Sequence, residues 1–151
     1  MQYITNGNFI NGLESWQAPE GFEPAFEPRP KGQSVRLLTD TLISQTLPDL
    51  PGQTLRIEFD VKSADPRVTE PGFAVSVGGF TADGTAQVSP VLGVAPQDWQ
   101  RLSVRLYFQD QLNNCFINVA TPSPAKKKKK RASTLGPVRF GGFSLTEEQP
   151  S

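Results

Sequence analysis

The sequence predicts an all-β protein, a sandwich or barrel of about eight or nine short strands. Segments in which apolar and polar residues alternate recur along the chain, separated by turn signals about every ten residues. Thirteen glycines and fourteen prolines in 151 residues disfavour helices. No segment shows the apolar spacing typical of an amphipathic helix, so a sandwich or barrel is the expected architecture.

The opening stretch is predicted to shape the fold rather than to carry chemistry. Two Asn-Gly dipeptides, Asn6-Gly7 and Asn11-Gly12, bracket an apolar pair that begins with Phe9. Asn-Gly favours positive φ and tight turns, so the chain should bend twice here and direct Phe9 inward. Leu13 and Trp16 follow three residues apart and are expected to pack beside it.

A proline-rich segment, residues 17–31, follows the opening and is predicted to be a long, stiff surface loop. Prolines at this density exclude a helix and a central strand. Its phenylalanines, Phe22 and Phe26, either pack under the loop or face outward. Packing is favoured, because large exposed apolar side chains are uncommon without a binding role.

The remaining chain alternates strands and turns. The clearest strand is 55–62, in which every second residue is apolar, a period that places one side of a strand against a core. Residues 80–89 are expected to form a hairpin or an irregular loop, and the Gly141-Gly142 pair suggests a bulge that resets the register of the last strand. The predicted strands are 34–38, 42–47, 55–62, 73–77, 91–94, 102–108, 115–119 and 138–145.

Several classes of function are excluded by composition. The chain has no histidine, and Cys115 is its single cysteine. A disulfide within the chain, a His/Cys zinc site and catalysis by Ser-His-Asp or Cys-His are therefore excluded. No apolar run approaches the roughly 18 residues that span a membrane, so no membrane span is expected.

The first residues carry neither a basic start nor an apolar signal region, so no secretory signal peptide is predicted. The localisation therefore stays open between three alternatives. The protein is either cytoplasmic, exported by another route, or a piece of a larger parent chain.

Charge is distributed unevenly although the net charge is zero. Lys126, Lys127, Lys128, Lys129, Lys130 and Arg131 supply six of the fifteen basic residues, so the rest of the chain carries nine basic against fifteen acidic residues. Six like charges repel one another, which predicts a loop, residues 122–134. This loop either balances an acidic body, serves as a nuclear localisation signal, or binds an anionic polymer such as nucleic acid, acidic polysaccharide or lipid headgroups.

The order of motifs resembles a known group. Asn6-Gly7-Asn8-Phe9, Gly12-Leu13 and Trp16 are similar to the opening of the galactose-binding-domain-like jelly rolls, which include many carbohydrate-binding modules of glycoside hydrolases. The segments 44–59, 98–102 and 140–145 also resemble that group, so the similarity spans Ile4 to Leu145. The resemblance implies a non-catalytic, ligand-binding antiparallel two-sheet β-sandwich (jelly roll) over residues 1–146, followed by a polar tail, 147–151.

The resemblance also raises the question of a structural calcium ion. Members of the group often bind calcium through a carboxylate after the opening Phe and another just before the final strand. The matching positions here are Ile10 and the 140–142 stretch, which have no carboxylate. Calcium prefers several oxygen ligands, so no metal and no cofactor is expected. Glu14 and Asp40 are the carboxylates that a rearranged site would use.

A candidate ligand surface lies on the polar side of the long strands. If those strands are neighbours in one sheet, they present aromatic rings, guanidinium groups, a carboxylate and an amide together, a mixture suited to sugar recognition. The alternative is an ordinary solvated face with cross-strand ion pairs. The candidate residues are Arg56, Glu58, Arg105, Tyr107, Phe116 and Asn118.

The tryptophans and one pair of carboxylates also allow a functional interpretation. Trp16 and Trp99 have faces on which a sugar could stack, but both positions favour core or rim packing. Glu58 and Asp60 lie on one strand face about 7 Å apart, within the roughly 5–9 Å that glycoside hydrolysis requires. Alternating carboxylates are common on solvated strands, so no catalytic residue is assigned and the chain is not expected to be an enzyme.

The sequence therefore predicts a module that binds carbohydrate or another small ligand without catalysis. Two alternatives remain: a structural or attachment domain that contacts a protein partner, and a module that binds an anionic polymer through the lysine-rich loop.

Overall fold

The structure is a computed structural model that describes residues 2–29, 32–67, 71–122 and 136–148. Nine strands account for the regular structure of these residues, which confirms the all-β prediction. They are β1 (Ala25–Pro28), β2 (Gln33–Leu37), β3 (Leu42–Leu47), β4 (Thr54–Ser63), β5 (Gly72–Phe80), β6 (Ala86–Val94), β7 (Gln100–Tyr107), β8 (Asn113–Ala120) and β9 (Val138–Glu147).

The strands form two antiparallel sheets, which confirms the predicted sandwich. A five-stranded sheet has the order β1-β2-β9-β4-β7, and a four-stranded sheet has the order β3-β8-β5-β6. Strands distant in sequence are neighbours in space: β9 pairs with both β2 and β4, and β8 pairs with both β3 and β5. This arrangement brings the end of the chain back beside its beginning.

The core lies between the two sheets and follows from the alternation in the sequence. On β4, Leu55, Ile57, Phe59 and Val61 are fully buried, while the intervening polar residues are only partly buried. The β8 residues Cys115, Ile117 and Val119 are buried in the same way from the other sheet. Because side chains alternate sides of a strand, the partly buried residues of β4 and β8 face outward.

The opening stretch bends as predicted. Asn6 has a positive φ of 54°, and its side-chain amide donates hydrogen bonds to the carbonyl oxygens of Gly12 (3.1 Å) and Glu14 (2.9 Å). The turn buries Phe9 completely and packs its ring 5.3 Å from that of Trp16. The indole N–H of Trp16 donates to the Asn6 carbonyl at 3.1 Å, so the loop is fixed from both ends.

The predicted bulge in the last strand is present and has a clear consequence for packing. Glu58 pairs with Ser144 and Asp60 pairs with Gly141, so β9 contains one more residue than β4 across this interval. Gly142 adopts a φ of +62° at this point. The extra residue changes the alternation, so Phe140 and Phe143, which are three residues apart, are both buried.

Three elements differ from the prediction. The proline-rich loop contains β1, a short strand at the sheet edge, where the proline at its last position costs no ladder hydrogen bond. Residues 80–89 contain the hairpin turn between β5 and β6, and β6 begins earlier than predicted, at Ala86. The last strand ends at Glu147, so this residue belongs to β9 rather than to the polar tail.

The phenylalanines of the proline-rich segment pack inward, which is the arrangement that the sequence analysis favoured. Phe22 and Phe26 are partly buried against the core, and the ring of Phe26 lies 6.4 Å from that of Phe9. The described part of the chain contains no helix with the length and apolarity needed to cross a membrane. Residues 123–135, which include Lys126 to Arg131 of the lysine-rich loop, and residues 149–151 of the tail lie outside the described residues.

Candidate ligand-binding site

The six predicted ligand residues do not form one surface, and that part of the prediction is wrong. Arg56 and Glu58 lie on β4, and Arg105 and Tyr107 lie on the neighbouring strand β7 of the five-stranded sheet. Phe116 and Asn118 lie on β8 and therefore belong to the other sheet. Because all six face outward in a two-layer fold, the two groups point in opposite directions.

On the five-stranded sheet the charged residues bind one another. Arg56 is directly opposite Arg105, and Glu148 lies against both guanidinium groups. Arg56 donates to the Glu148 carboxylate through Nε and Nη2, both at 2.8 Å, and also contacts the Ser103 hydroxyl. The Nε of Arg105 lies 3.3 Å from the same carboxylate. We call Arg56, Arg105 and Glu148 the Glu148 cluster.

The electrostatics of the Glu148 cluster follow from these contacts. Its hydrogen bond from Arg56 lowers the pKa of the Glu148 carboxyl below its ordinary value, and the same bond raises the pKa of Arg56. Tyr107 lies at the edge strand of this sheet with 67% of its surface exposed. The alternative stated above, an ordinary solvated face with cross-strand ion pairs, therefore describes this face well. The Glu148 carboxylate joins the two arginines.

Sequence reasoning missed Glu148 because it was placed in the polar tail. The residue follows β9 directly, and its backbone N–H donates to the Thr54 carbonyl at 3.0 Å. That bond continues the pairing between β9 and β4 beyond the strand end. A run of polar residues gives no local signal of such pairing.

The outer face of the four-stranded sheet has a different character. Asn118 lies between Ser44 on β3 and Ser76 on β5, which gives a row of short polar side chains across three strands. The adjacent row places Phe116 between Thr46 and Gly78. Since Gly78 has no side chain, the half-buried Phe116 ring is the largest group near the centre of this face.

Apolar side chains border that face along β6, which is an edge strand paired only with β5. Val88 lies opposite Gly78, and Leu92 lies opposite Ala74. Val88, Leu92 and Val94 are exposed, Leu92 to 74%. The face is thus low in the middle, where serine, alanine and glycine lie, and higher along β6. No charged residue lies on the described outer face of this sheet.

Neither tryptophan provides an open stacking surface of the kind that sugar binding would require. Trp16 is buried with Phe9 and Phe143, as favoured. Trp99 is 39% exposed, and the Lys62 ammonium lies 5.9 Å from its ring centroid, at the rim of the sandwich. Both placements agree with a packing role.

A recess of about 520 Å³ lies where the β5–β6 turn approaches the loop after β7. Most of the polar residues that line it are hydrogen-bonded to one another. Asp83 accepts hydrogen bonds from the Thr81 hydroxyl and from the Thr85 backbone N–H. These bonds lower the pKa of the Asp83 carboxyl, and the bond from Thr81 has the largest effect. Gln87 donates to Asp110 at 3.4 Å. The Asp83 bonds stabilise the turn, and the Gln87–Asp110 bond joins β6 to the loop after β7.

No family model and no curated protein matches the sequence. Solved structures match the fold. A family 16 carbohydrate-binding module superposes with a TM-score of 0.71 at 14% identity, over 96% of this chain and 99% of that one. The xylan-binding domain CBM22-1 of Paenibacillus barcinonensis Xyn10C gives a TM-score of 0.66 at 13% identity, over 100% and 95% of the two chains.

A third match shows the fold within a larger protein. The arabinose-bound α-L-arabinofuranosidase MgGH51 superposes with a TM-score of 0.64 at 13% identity, over 96% of this chain but 26% of the enzyme. The chain thus spans about a quarter of that enzyme and nearly all of each binding module. It has the β-sandwich fold of carbohydrate-binding modules, as the resemblance in its sequence predicted.

Proposed function

We propose that the chain is a non-catalytic carbohydrate-binding module whose ligand lies on the outer face of the four-stranded sheet. The observation that carries the proposal is the adjacency of the Phe116 ring to the Ser44-Asn118-Ser76 row. A sugar presents an apolar C–H face and a rim of hydroxyl groups. An aromatic ring beside amide and hydroxyl groups matches both.

The availability of the polar groups favours this face over the β4–β7 face. Asn118 makes no side-chain hydrogen bond to another described residue, so its amide is able to bond to a hydroxyl group. Arg56 and Arg105 are engaged by Glu148, and a ligand would have to compete with those ion pairs. Glu58 and Tyr107 remain the groups that would support binding on the opposite sheet.

The absence of catalysis is part of the proposal and is supported by the environment of Asp60. Its carboxylate pairs with Arg29 at 2.5 Å and with Arg101 at 3.2 Å. Both oxygens of this carboxylate are thus occupied by guanidinium groups and are not free to contact a substrate. Glu58 thus lacks the second carboxyl group that glycoside hydrolysis uses.

Replacement of the central ring tests the proposal. Phe116→Ala should weaken binding to a soluble polysaccharide by about 1–3 kcal/mol, roughly 5- to 150-fold, because the stacking surface is lost. The measurement is titration calorimetry or affinity electrophoresis, after a glycan array has identified a ligand. Asn118→Ala should also weaken binding, with a smaller loss of binding enthalpy than Phe116→Ala.

Tyr107→Ala is the matched control, since it removes an exposed aromatic ring from the opposite sheet. Binding should be unchanged in this variant. A loss with Tyr107→Ala and none with Phe116→Ala would place the ligand on the β4–β7 face instead. Failure of the unmodified chain to bind any glycan at millimolar concentration would refute the carbohydrate assignment altogether.

The exposed apolar side chains of β6 favour one alternative, an attachment domain that contacts a protein partner. Val88, Leu92 and Val94 lie on an edge strand, where a second chain can add its own strand or side chains. This alternative predicts association in analytical ultracentrifugation that Leu92→Lys abolishes. A monomer at all concentrations, together with glycan binding, would exclude self-association as the function.

A further inference from the structure

The opening turn, the β9 bulge and the end of β1 meet at one corner of the sandwich. The Phe143 N–H donates to the Gly7 carbonyl at 3.1 Å, and the Gln33 N–H donates to the Asn8 carbonyl at 2.9 Å. Residue 29, which directly follows β1, enters the same corner. The two segments that the resemblance associates with calcium, the residues after Phe9 and the 140–142 stretch, therefore converge here.

Arg29 occupies this corner. Its side chain is only 9% exposed. One guanidinium nitrogen, Nη1, lies 2.5 Å from the Asp60 carboxylate, and Nη2 donates to the Asn8 side-chain oxygen at 3.2 Å. The cation thus joins β4 to the opening turn from a position next to β1.

The glycines of the bulge leave room for this side chain. A Cβ atom added to Gly141 would lie 2.5 Å from Nε of Arg29, closer than real Cβ atoms approach. A Cβ atom at Gly142 would meet Nη2 of the same guanidinium, and this glycine also has a φ of +62°. The bulge therefore favours glycine at position 142, and both glycines leave the space that the guanidinium occupies.

Gln33 occupies the backbone oxygens of the opening turn. Its side-chain amide donates to the Phe9 carbonyl at 3.1 Å and to the Ile10 carbonyl at 3.5 Å. Carbonyl oxygens are among the ligands that calcium prefers. Here the Phe9 and Ile10 carbonyls are bonded to a side chain of the protein itself.

The residues at this corner do not fit calcium. The ion takes six to eight oxygen ligands, typically with several carboxylates. Ile10 is apolar and 62% exposed, and the 140–142 stretch offers no side-chain oxygen. Asp60 is the carboxylate that lines the corner, and two arginines bind it. Across the described ranges, no group of three or more His, Cys, Asp or Glu residues lies close enough to hold a metal.

We infer that the Arg29 guanidinium is the resident cation of this corner, in the place where the resembling modules bind calcium, and that the sandwich closes without metal. A guanidinium bonds to a carboxylate and to side-chain oxygens with fixed geometry. It therefore performs the same joining role as the ion. Unlike the ion, it is part of the chain and is not removed by a chelator.

The first test uses the unmodified 151-residue chain. Its melting temperature should be the same in millimolar calcium and in excess chelator, and calorimetry should detect no calcium binding. A rise in melting temperature with calcium, or a calorimetric binding isotherm, would overturn the inference.

The second test removes the cation. Arg29→Ala should lower the melting temperature by on the order of 10 °C, because Asp60 loses its buried partner. Added calcium should not restore the melting temperature. Arg101→Ala is the matched control, since Arg101 binds the same carboxylate but is 46% exposed. Its loss should be about 3 °C or less. Equal losses in the two variants would contradict a special role for Arg29.

A double-mutant cycle isolates the contact with the bulge. Gly141→Ala should lower the melting temperature in the unmodified chain and should lower it clearly less in the Arg29→Ala background, where the clash is absent. The same loss in both backgrounds would show that the glycine does not make room for the guanidinium. If Arg29→Ala does not fold, Arg29→Lys takes its place in the cycle, with Arg101→Lys as its control.

Discussion

Phe59→Ala should lower the free energy of unfolding by about 3–5 kcal/mol, a large part of the roughly 5–15 kcal/mol that a domain of this kind has in total. Phe59 is fully buried on β4, at the centre of the aromatic core. Its ring stacks on Phe143 at 5.3 Å and meets the edge of Phe73 at 5.9 Å. Truncation leaves a cavity between the two sheets that these rings cannot fill.

Urea unfolding followed by tryptophan fluorescence measures this change. The transition midpoint should fall while its steepness stays the same, since the variant exposes nearly the same surface on unfolding. Phe80→Ala is the control, because Phe80 lies at the end of β5 and is 37% exposed. A loss below about 1 kcal/mol for Phe59→Ala would mean that the core repacks and that the sheets are not held in this register.

The second large effect is alkaline destabilisation through Tyr3. Burial, followed by the hydrogen bond to Glu147, raises the pKa of Tyr3 from 10.0 to about 12. Its hydroxyl donates to Glu147 Oε2 at 2.5 Å, which links the first residues of the chain to the end of β9. A raised pKa means that the folded state favours the protonated phenol.

The direction of the pH dependence follows from that shift. The stabilisation is complete below pH 10, where the phenol is protonated in both states. It is lost as the pH rises from about 10 to about 12, because only the unfolded state releases its proton easily. A shift of about two units corresponds to about 3 kcal/mol.

Chemical unfolding at several pH values between 9 and 12 measures this loss. Tyr3→Phe should be less stable at neutral pH, and its stability should fall less steeply across the window. Tyr107→Phe, which changes an exposed phenol, should retain the slope of the unmodified chain. Identical slopes for Tyr3→Phe and the unmodified chain would show that another group titrates instead.

The strands with regular alternation were predictable because their signal is local. On β4, four apolar residues at every second position can be buried together only in an extended strand. The opening turn was predictable for a similar reason, since Asn-Gly restricts the backbone wherever it occurs. β1 was missed because Pro28 and the prolines around the strand argue against a central strand, and the sequence does not show that this strand lies at an edge.

The candidate site was only partly predictable. Alternation correctly placed Tyr107 and Phe116 on outward faces. It does not state which strands are neighbours, and β7 and β8, although consecutive, lie in different sheets. The single surface that the sequence suggested is therefore divided between the two sides of the molecule.

By its residues alone, the chain determined its class, its turns, the inward residues of most strands and the absence of histidine chemistry. These properties depend on neighbours within a few positions, where backbone geometry and burial act directly. The tertiary structure alone decided which strands pair, that Glu148 joins two arginines, and that Arg29 lies in the bulge of β9. The Glu148 ion pairs and the approach of Arg29 to Gly141 join residues more than 40 positions apart, and only the folded chain brings such residues together.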